Sequence, residues 1–237
     1  MSISIIIPCR NEEKTIEKTI IKIKKHIIGK IRKFEFILIN DFSDDHTYKI
    51  CKKLSKKTKN ITFKNNNKYG LGGAINLGIN ISKNKYIAIV MADLSDDPKD
   101  LVKYYNEIQQ NDIDAVFGSR FSKDSKVVDY PVKKLIYNRV FNYLVKFLFF
   151  SKYNDFTNAF KIYKKNTLDN IKPFVSENFN IFLEIPLKLI VRRKKYKIIS
   201  INWTNRKTGK SKFKVNELGS KYFFTLFYCF LEKILLR

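Results

Sequence analysis

Cysteine is scarce in this 237-residue sequence, and the three that occur are scattered at Cys9, Cys51 and Cys229. They lack the paired spacing of a disulfide scaffold or a structural zinc site. We therefore expect a reducing, cytoplasmic compartment. The first residues contain neither a basic region before the apolar run nor a cleavage site, so we expect no signal peptide.

Long uncharged runs are missing from the C-terminal region. Residues 218–236 are apolar nearly all round, yet their longest uncharged run, residues 222–231, has only ten residues. A helix needs about 20 apolar residues to span a bilayer. We expect no transmembrane helix there. The aromatic side chains of residues 141–150 and 222–230 suit core packing and membrane contact equally well.

Acidic residues are few, 22 against 47 basic ones, which gives a formal net charge of +25. Residues 1–120 carry 22 basic and 14 acidic residues, whereas residues 121–237 carry 25 and 8. The second half also has 24 aromatic residues, against 10 in the first half. A basic, aromatic-rich half indicates a polyanionic partner, either nucleic acid or an anionic membrane surface. A general richness in lysine accounts for part of the excess.

Strand-like and helix-like segments alternate along the chain. Continuous β-branched runs predict strands that are buried on both faces, and apolar residues at helical spacing predict helices between them. The predicted strands are residues 2–8, 34–40, 61–64, 86–91, 114–117 and 198–203, and the predicted helices are residues 12–28, 47–57, 70–81, 98–111, 133–150, 179–192 and 218–236. This order predicts one α/β unit with a doubly wound, mostly parallel sheet and helices on both faces.

Polar clusters follow four of the predicted strands. They are residues 8–12, Asn40 with Asp41, Asp93 with Asp96 and Asp97, and residues 118–120. Ligands of doubly wound sheets bind beyond the carboxyl ends of the strands, so we expect these clusters to meet at one site. Grouped carboxylates suit Mg²⁺ or Mn²⁺, which bridges phosphates, and Arg120 could clamp a phosphate.

Seven short segments carry a recognisable pattern. In chain order they are SIIIPCRNEE (4–13), INDFSDD (39–45), KYGLGGA (68–74), MADLSDDP (91–98), GSRF (118–121), DFTNAFK (155–161) and RKTGKSK (206–212). Together they resemble the motifs of family 2 glycosyltransferases of the GT-A fold, closest to the dolichyl-phosphate mannose synthase-like branch. The resemblance covers roughly residues 2–214.

The resemblance implies inverting transfer of a hexose from a nucleotide-sugar donor, GDP- or UDP-linked, to a polyprenyl phosphate. It implies one GT-A domain in residues 1–217, with a nucleotide-sugar half (1–120) and an acceptor half (121–217), followed by an apolar helix in residues 218–237. The enzyme would be peripheral on the inner face of the membrane. A separate membrane-protein partner or a homo-oligomer remains open.

The resemblance also implies roles for individual residues. Nucleotide-sugar binding is implied for Pro8, Arg10, Glu12, Ile39, Asp41, Lys68, Gly70, Asp93 and Arg120. Binding of the acceptor phosphate is implied for Lys133, Arg206, Ser211 and Lys212. Asp93 would hold Mg²⁺ or Mn²⁺, with Ser95 or Asp97 as helpers, and catalysis would depend on Asp93, Arg120, Arg206 and Lys212.

Four positions depart from the family motifs. Met91 and Asn40 stand where the motifs have aspartate, Phe42 where they have glycine, and Ser95 where they have glutamine. These departures favour a lower metal affinity or an altered donor preference.

Rival functions make different demands on the residues. A phosphate acceptor is already an anion, so it needs no strong general base, and neither His26 nor His46 is placed for that role. Transfer to a sugar hydroxyl in polysaccharide or glycolipid assembly would need a carboxylate base, for which Asp155 and Glu184 are the candidates. We expect no nucleic-acid partner, because no known nucleic-acid motif occurs. A non-catalytic, membrane-associated scaffold is a third alternative.

Overall fold

The computed structural model describes residues 2–206 and 215–236. The strands in this part of the chain are β1 (Ser2–Cys9), β2 (Lys33–Asn40), β3 (Ile61–Asn65), β4 (Tyr86–Ile89), β5 (Ala115–Ser119), β6 (Val127–Val128), β7 (Lys161–Lys164), β8 (Tyr196–Ser200) and β9 (Trp203–Thr204). The helices are α1 (Ile16–Ile27), α2 (Thr47–Lys57), α3 (Leu71–Ile81), α4 (Pro98–Gln110), α5 (Val132–Phe149), α6 (Lys165–Asn170), α7 (Ile181–Val191) and α8 (Val215–Leu235).

Seven of the strands form one sheet in the order β3-β2-β1-β4-β7-β5-β8. Within it β1 pairs in parallel with β2 and β4, β2 with β3, and β5 with β8. Only β7 runs antiparallel to its neighbours in this described sheet, between β4 and β5. The predicted α/β class with a mixed, mostly parallel sheet is confirmed. We had not predicted β7, because a four-residue segment with lysine at both ends gives little strand signal.

Each face of the sheet carries its own apolar cluster. Ile5 and Ile7 of β1 pack in the cluster that contains α1 and α4, whereas Ile6 packs in the cluster that contains α3 and α7. Strand side chains alternate between faces, so a continuous isoleucine run fills both clusters at once. Helices therefore cover both faces of the sheet.

Two short strands form a second sheet beside the main one. β6 pairs in parallel with β9, and Trp203 of β9 also forms an isolated bridge with Asp96. The predicted strand 198–203 is divided, because β8 ends at Ser200 and the Asn202 amide donates to Asp100 Oδ2 at 2.9 Å. Because of this division, β9 lies beside the loop that follows β4. The residues after β9 therefore lie near that loop, at the carboxyl ends of the strands.

Helix α8 packs on the main domain through buried residues. Tyr222, Leu226 and Cys229 belong to the core, and Glu232 forms an ion pair with Arg192 at 3.0 Å. Within residues 2–206 and 215–236, no helix combines the length and apolar character that crossing a membrane requires. The domain boundary after residue 217 stays a prediction.

The stability of the fold should depend on pH through Lys161, a fully buried residue of β7. Its ammonium donates to the carbonyls of Phe156 and Asn158, and burial lowers its pKa from 10.5 to about 7. Between these values the unfolded chain binds the extra proton, so stability should rise with pH. We expect the free energy of unfolding to increase by up to about 1.4 kcal/mol for each pH unit.

Urea unfolding between pH 7.5 and 9.5 measures this rise. Lys161→Met should remove the slope, although the protein becomes less stable. Lys164→Met is the matched control from the same strand, where the lysine pairs with exposed Asp112, and it should keep the slope. An equal slope in the wild type and in Lys161→Met would show that Lys161 stays protonated throughout.

Candidate active site

A cleft of about 610 Å³ lies beyond the carboxyl ends of β1, β2, β4 and β5. β1 lies between β2 and β4 at the point where the strand order reverses, which is where doubly wound sheets bind ligands. The predicted site residues that line the cleft are Pro8, Arg10, Glu12, Asp41, Gly70, Asp93, Ser95, Arg120 and Arg206. The four strand-end clusters therefore meet, as the sequence predicts.

Asp41 joins the loops that follow β2 and β3. Its Oδ1 accepts hydrogen bonds from the Gly70 amide at 2.9 Å and from Asn66 Nδ2 at 2.8 Å. Gly70 has a φ of 114°, and a side chain there would collide with the backbone of Glu177. The glycine motif is thus needed for close approach, and the aspartate holds the turn in place. Asn66 was not predicted, because it lies in a run of asparagines without a motif of its own.

Arg206 brings two acidic loops together. Its Nη2 lies 2.6 Å from Asp93 Oδ2 and 3.4 Å from Glu12 Oε1. The loops after β4 and β1 supply these carboxylates, and Arg206 follows β9. The guanidinium of Arg206 therefore lies in the cleft against Asp93, the carboxylate that is expected to hold a metal.

Arg120 is held by a carboxylate that was predicted for another role. Its backbone N and Nε both donate to Asp155 Oδ2 at 2.9 Å, and its Nη2 donates to Oδ1 at 2.7 Å. Burial acts to lower the pKa of Arg120, but the charge and hydrogen bonds of Asp155 outweigh it and raise that pKa. The guanidinium thus remains charged at the wall of the cleft, near the rings of Tyr130 and Trp203.

Two buried oxygens beside Asp93 have no hydrogen-bond partner among the described residues, Ser95 Oγ and Asp96 Oδ2. Burial, followed by the charge of Asp93, raises the pKa of Asp96 to about 7. Asp97 lies outside the cleft and caps α4, accepting a hydrogen bond from the Lys99 amide at 3.0 Å. Asp96 of this predicted cluster therefore lines the site, although the resemblance implied no role for it, whereas Asp97 begins a helix.

Several predicted site residues lie elsewhere. Ile39 is fully buried in β2, and Lys68 is exposed and pairs with Glu177 at 3.1 Å. Lys133 does not line the cleft, whereas its neighbour Lys134 does, together with Lys221 of α8. Helix geometry turns successive side chains about 100° apart, so a choice between adjacent lysines needs the orientation of α5. Ser211 and Lys212 lie outside the described residues.

The two carboxylates proposed as bases for a hydroxyl acceptor are both fully buried. Asp155 is bound to Arg120, as described. Glu184 accepts hydrogen bonds from the amides of Val175 and Ser176 and lies 3.5 Å from Lys188 Nζ. Glu184 therefore stabilises the junction before α7, and neither carboxylate lines the cleft.

Comparison with known proteins identifies the family. A family model described as Glycosyl transferase family 2 matches residues 4–172, which is most of the chain. The chain belongs to glycosyl transferase family 2.

Curated relatives include enzymes named for polyprenyl phosphates. The dodecaprenyl-phosphate galacturonate synthase of Rhizobium johnstonii is 24% identical over 73% of this chain and 50% of its own length. The dolichol-phosphate mannosyltransferase of Pyrococcus furiosus is 29% identical over 57% of this chain and 38% of its own length. Glycosyltransferase AglD of Haloferax volcanii is 25% identical over 75% of this chain and 29% of its own length. The chain thus spans half or less of these relatives.

Solved structures support the fold. Glucosyl-3-phosphoglycerate synthase of Mycobacterium tuberculosis, in complex with Mn²⁺, UDP and phosphoglyceric acid, has a TM-score of 0.71 at 16% identity, over 97% of this chain and 78% of that one. The same enzyme with Mg²⁺ and UDP has a TM-score of 0.70 at 15% identity, over 96% and 79% of the two chains. These neighbours show that the chain has the GT-A glycosyltransferase fold.

The Arg120–Asp155 pair should be essential for stability. Asp155→Ala leaves a buried guanidinium without its counter-ion, so we expect the free energy of unfolding to fall by about 3–5 kcal/mol. Urea unfolding measures the change. Asp112→Ala is the control, since Asp112 pairs with Lys164 at the surface, and its midpoint should stay nearly unchanged. Similar midpoints for the two variants would contradict a stabilising role for the buried pair.

Proposed function

We propose that this protein transfers a hexose from a nucleotide-sugar to a polyprenyl phosphate, with inversion and with the help of a divalent metal. The observation that carries the proposal is the cleft, which groups the residues of the family's nucleotide-sugar motifs with Arg120, Arg206 and two further lysines. The names of the relatives from Rhizobium johnstonii and Pyrococcus furiosus support a polyprenyl phosphate as the acceptor.

The donor is proposed to lie along the edge formed by the loops after β1, β2, β4 and β5. Arg10, Glu12 and Asp41 would bind its base and ribose. Arg120, kept charged and oriented by Asp155, would lie near the diphosphate, where negative charge develops in the transition state. A guanidinium oriented before the reaction needs little rearrangement during it, which is the advantage of the buried pair.

The residues present fit a metal that is shared with the substrate. Among the described residues, no cluster of three or more acidic, histidine or cysteine side chains surrounds a metal position. Mg²⁺ commonly binds through one or two carboxylates together with substrate phosphates. Asp93 would hold the metal, and the unpaired Ser95 Oγ lies on the same loop. When bound, the metal would neutralise charge on the leaving diphosphate.

The acceptor is proposed to be bound by cationic side chains rather than activated by a base. Arg206 lines the cleft together with Lys134 of α5 and Lys221 of α8. These cations would orient the acceptor phosphate towards the anomeric carbon. Because Asp155 and Glu184 are buried in other contacts, transfer to a sugar hydroxyl is the weaker alternative.

Transfer can be tested with a panel of UDP- and GDP-hexoses, Mg²⁺ or Mn²⁺, and undecaprenyl or dolichyl phosphate. We expect one donor to yield a glycolipid, and we expect EDTA to abolish the product. Asp93→Asn should lower the rate by a factor of about 100 or more, because it removes the charge that holds the metal.

Asp97→Asn provides the control on the same loop, since asparagine also caps helices, and it should keep most of the activity. An equal loss in both variants would assign the metal to Asp97 as well as to Asp93. No product from any donor, or full activity of Asp93→Asn, would contradict the proposed reaction.

We also propose that the enzyme works on an anionic membrane surface. Of the 21 exposed large apolar side chains among the described residues, 15 lie in residues 132–150 and 223–236. We call these 15 side chains the α5–α8 face. Phe141 packs against Tyr222 and Phe149 against Phe230, so the two helices form one continuous surface.

The charges around the α5–α8 face favour an anionic bilayer. Helix α5 contains four basic residues and no acidic one. On α8, Glu232 is turned inward to Arg192, and Lys233 lies near the rings of Phe149 and Phe150. Aromatic side chains with lysines at their margin are typical of surfaces that lie in the headgroup region. Location on the cytoplasmic side of the membrane stays a prediction.

Liposome sedimentation tests this surface. Replacing Phe147, Phe150, Phe223 and Phe227 with serine should weaken binding to phosphatidylserine-containing vesicles by about tenfold or more, because each buried ring contributes about 1.5–3 kcal/mol. Serine at Ile21 and Ile28, two exposed residues in or next to α1, is the control and should change little.

Unchanged binding of the fourfold variant would reject the surface. A shift from dimer to monomer without a change in liposome binding would instead assign the α5–α8 face to a second copy of the chain.

A further inference from the structure

Two exposed aromatic rings contact each other beside the cleft: Tyr69 lines it, and Phe42 packs against Tyr69 from outside the lining. Phe42 follows β2 and is 48% exposed, and Tyr69 follows β3 and is 55% exposed. Their ring centroids are 5.7 Å apart and their planes are tilted by 52°. The guanidinium of Arg10 lies 4.4 Å from the centroid of Tyr69. About half of each side chain remains exposed despite these contacts.

Phe42 combines an exposed ring with a strained backbone. Its φ of 51° lies in the left-handed region, which glycine tolerates far better than a residue with a side chain. The family motif has glycine at this position, and this chain has phenylalanine. Burial does not offset the strain, because about half of the ring remains in solvent. A strained, exposed aromatic residue beside a cleft indicates a ligand contact.

The loops that carry the two rings are held together. Asp41, which precedes Phe42, accepts hydrogen bonds from Gly70, which follows Tyr69, and from Asn66. Asn66 Nδ2 also donates to the carbonyls of Lys68 and Gly70. A polar network therefore fixes the two ring-bearing loops to each other at the ends of β2 and β3.

The rings lie on the opposite side of β1 from the groups that are proposed to bind the diphosphate. They follow β2 and β3 on one side of β1, whereas Asp93 and Arg120 follow β4 and β5 on the other side. A ligand that spans this distance needs a flat apolar end and an anionic end. We propose that Phe42 and Tyr69 form a stacking platform for the nucleobase of the donor, with Arg10 holding the Tyr69 ring.

This inference rests on the proposed function, since it requires a nucleotide-sugar donor. It adds two residues to the expected donor site and explains why this chain has an aromatic residue in place of the motif glycine. Base stacking on aromatic rings is tolerant of base identity, so the platform serves uracil and guanine alike. Discrimination between bases would then come from polar groups such as Arg10.

Calorimetric binding of UDP and GDP to the full chain in Mn²⁺ tests the platform, with pyrophosphate as the probe that lacks a base. Phe42→Gly and Tyr69→Ala should each weaken binding of the preferred nucleotide about 5- to 100-fold, as loss of base stacking does elsewhere. Binding of pyrophosphate should stay unchanged in both variants. Tyr69→Phe keeps the ring and should bind as the wild type does.

Phe150→Gly is the matched control. Phe150 also has a left-handed backbone, with a φ of 50°, and its ring is 80% exposed. Its ring lies near Phe147 and Lys233, which do not line the cleft, whereas Phe42 contacts the lining residue Tyr69, so Phe150→Gly should leave nucleotide affinity unchanged. Phe42→Gly relieves strain, so the variant should remain folded, which thermal unfolding can check.

The outcomes separate the two proposals. Wild-type affinity in Phe42→Gly and Tyr69→Ala would overturn the platform and leave the proposed function standing. If the variants bind nucleotide and pyrophosphate more weakly by the same factor, the rings contact another part of the ligand, and the platform is also overturned. Failure of the wild type to bind either nucleotide would overturn the proposed function, and the platform with it.

Discussion

The parallel register of β1, β2 and β3 is the constraint on which the site depends. Cys9 pairs with Asn40, and Asn40 pairs with Asn65, so three strands end at the same level. Their loops must therefore leave the sheet side by side. This is why Asp41 can accept a hydrogen bond from Gly70, although the two residues are 29 positions apart. A shift of one residue in the register would send the isoleucines of β1 to the wrong faces and separate these loops.

Opposite charges organise the other side of the cleft. Arg120 is bound by Asp155, and Arg206 contacts both Asp93 and Glu12. Each guanidinium thus lies against a carboxylate where an anionic substrate is expected. Asp155 would keep Arg120 charged and oriented, whereas a metal at Asp93 would release Arg206 to an anionic ligand, so neither charge would be left without a partner in the cleft.

Much of the fold could be predicted because its signals are local. The isoleucine run of β1 and the helical spacing in α1 are strong patterns, and α2 has the predicted bounds. The short strands β6 and β7 were missed, because they have two and four residues and form only when distant segments pair with them. Strand 198–203 was predicted as one element, since nothing in its sequence indicates the contact of Asn202 with Asp100.

Some features of the candidate site could likewise be predicted from local sequence, and others could not. The order of the motif clusters and their position after buried parallel strands follow from the sequence, which could therefore place Asp41, Asp93 and Arg120 at one edge. The binding of Asp155 to Arg120, the position of Asp96 rather than Asp97 in the cleft and the contact of Phe42 with Tyr69 arise only when the chain has folded. These contacts join residues from different loops, and their orientations depend on packing that no local pattern encodes.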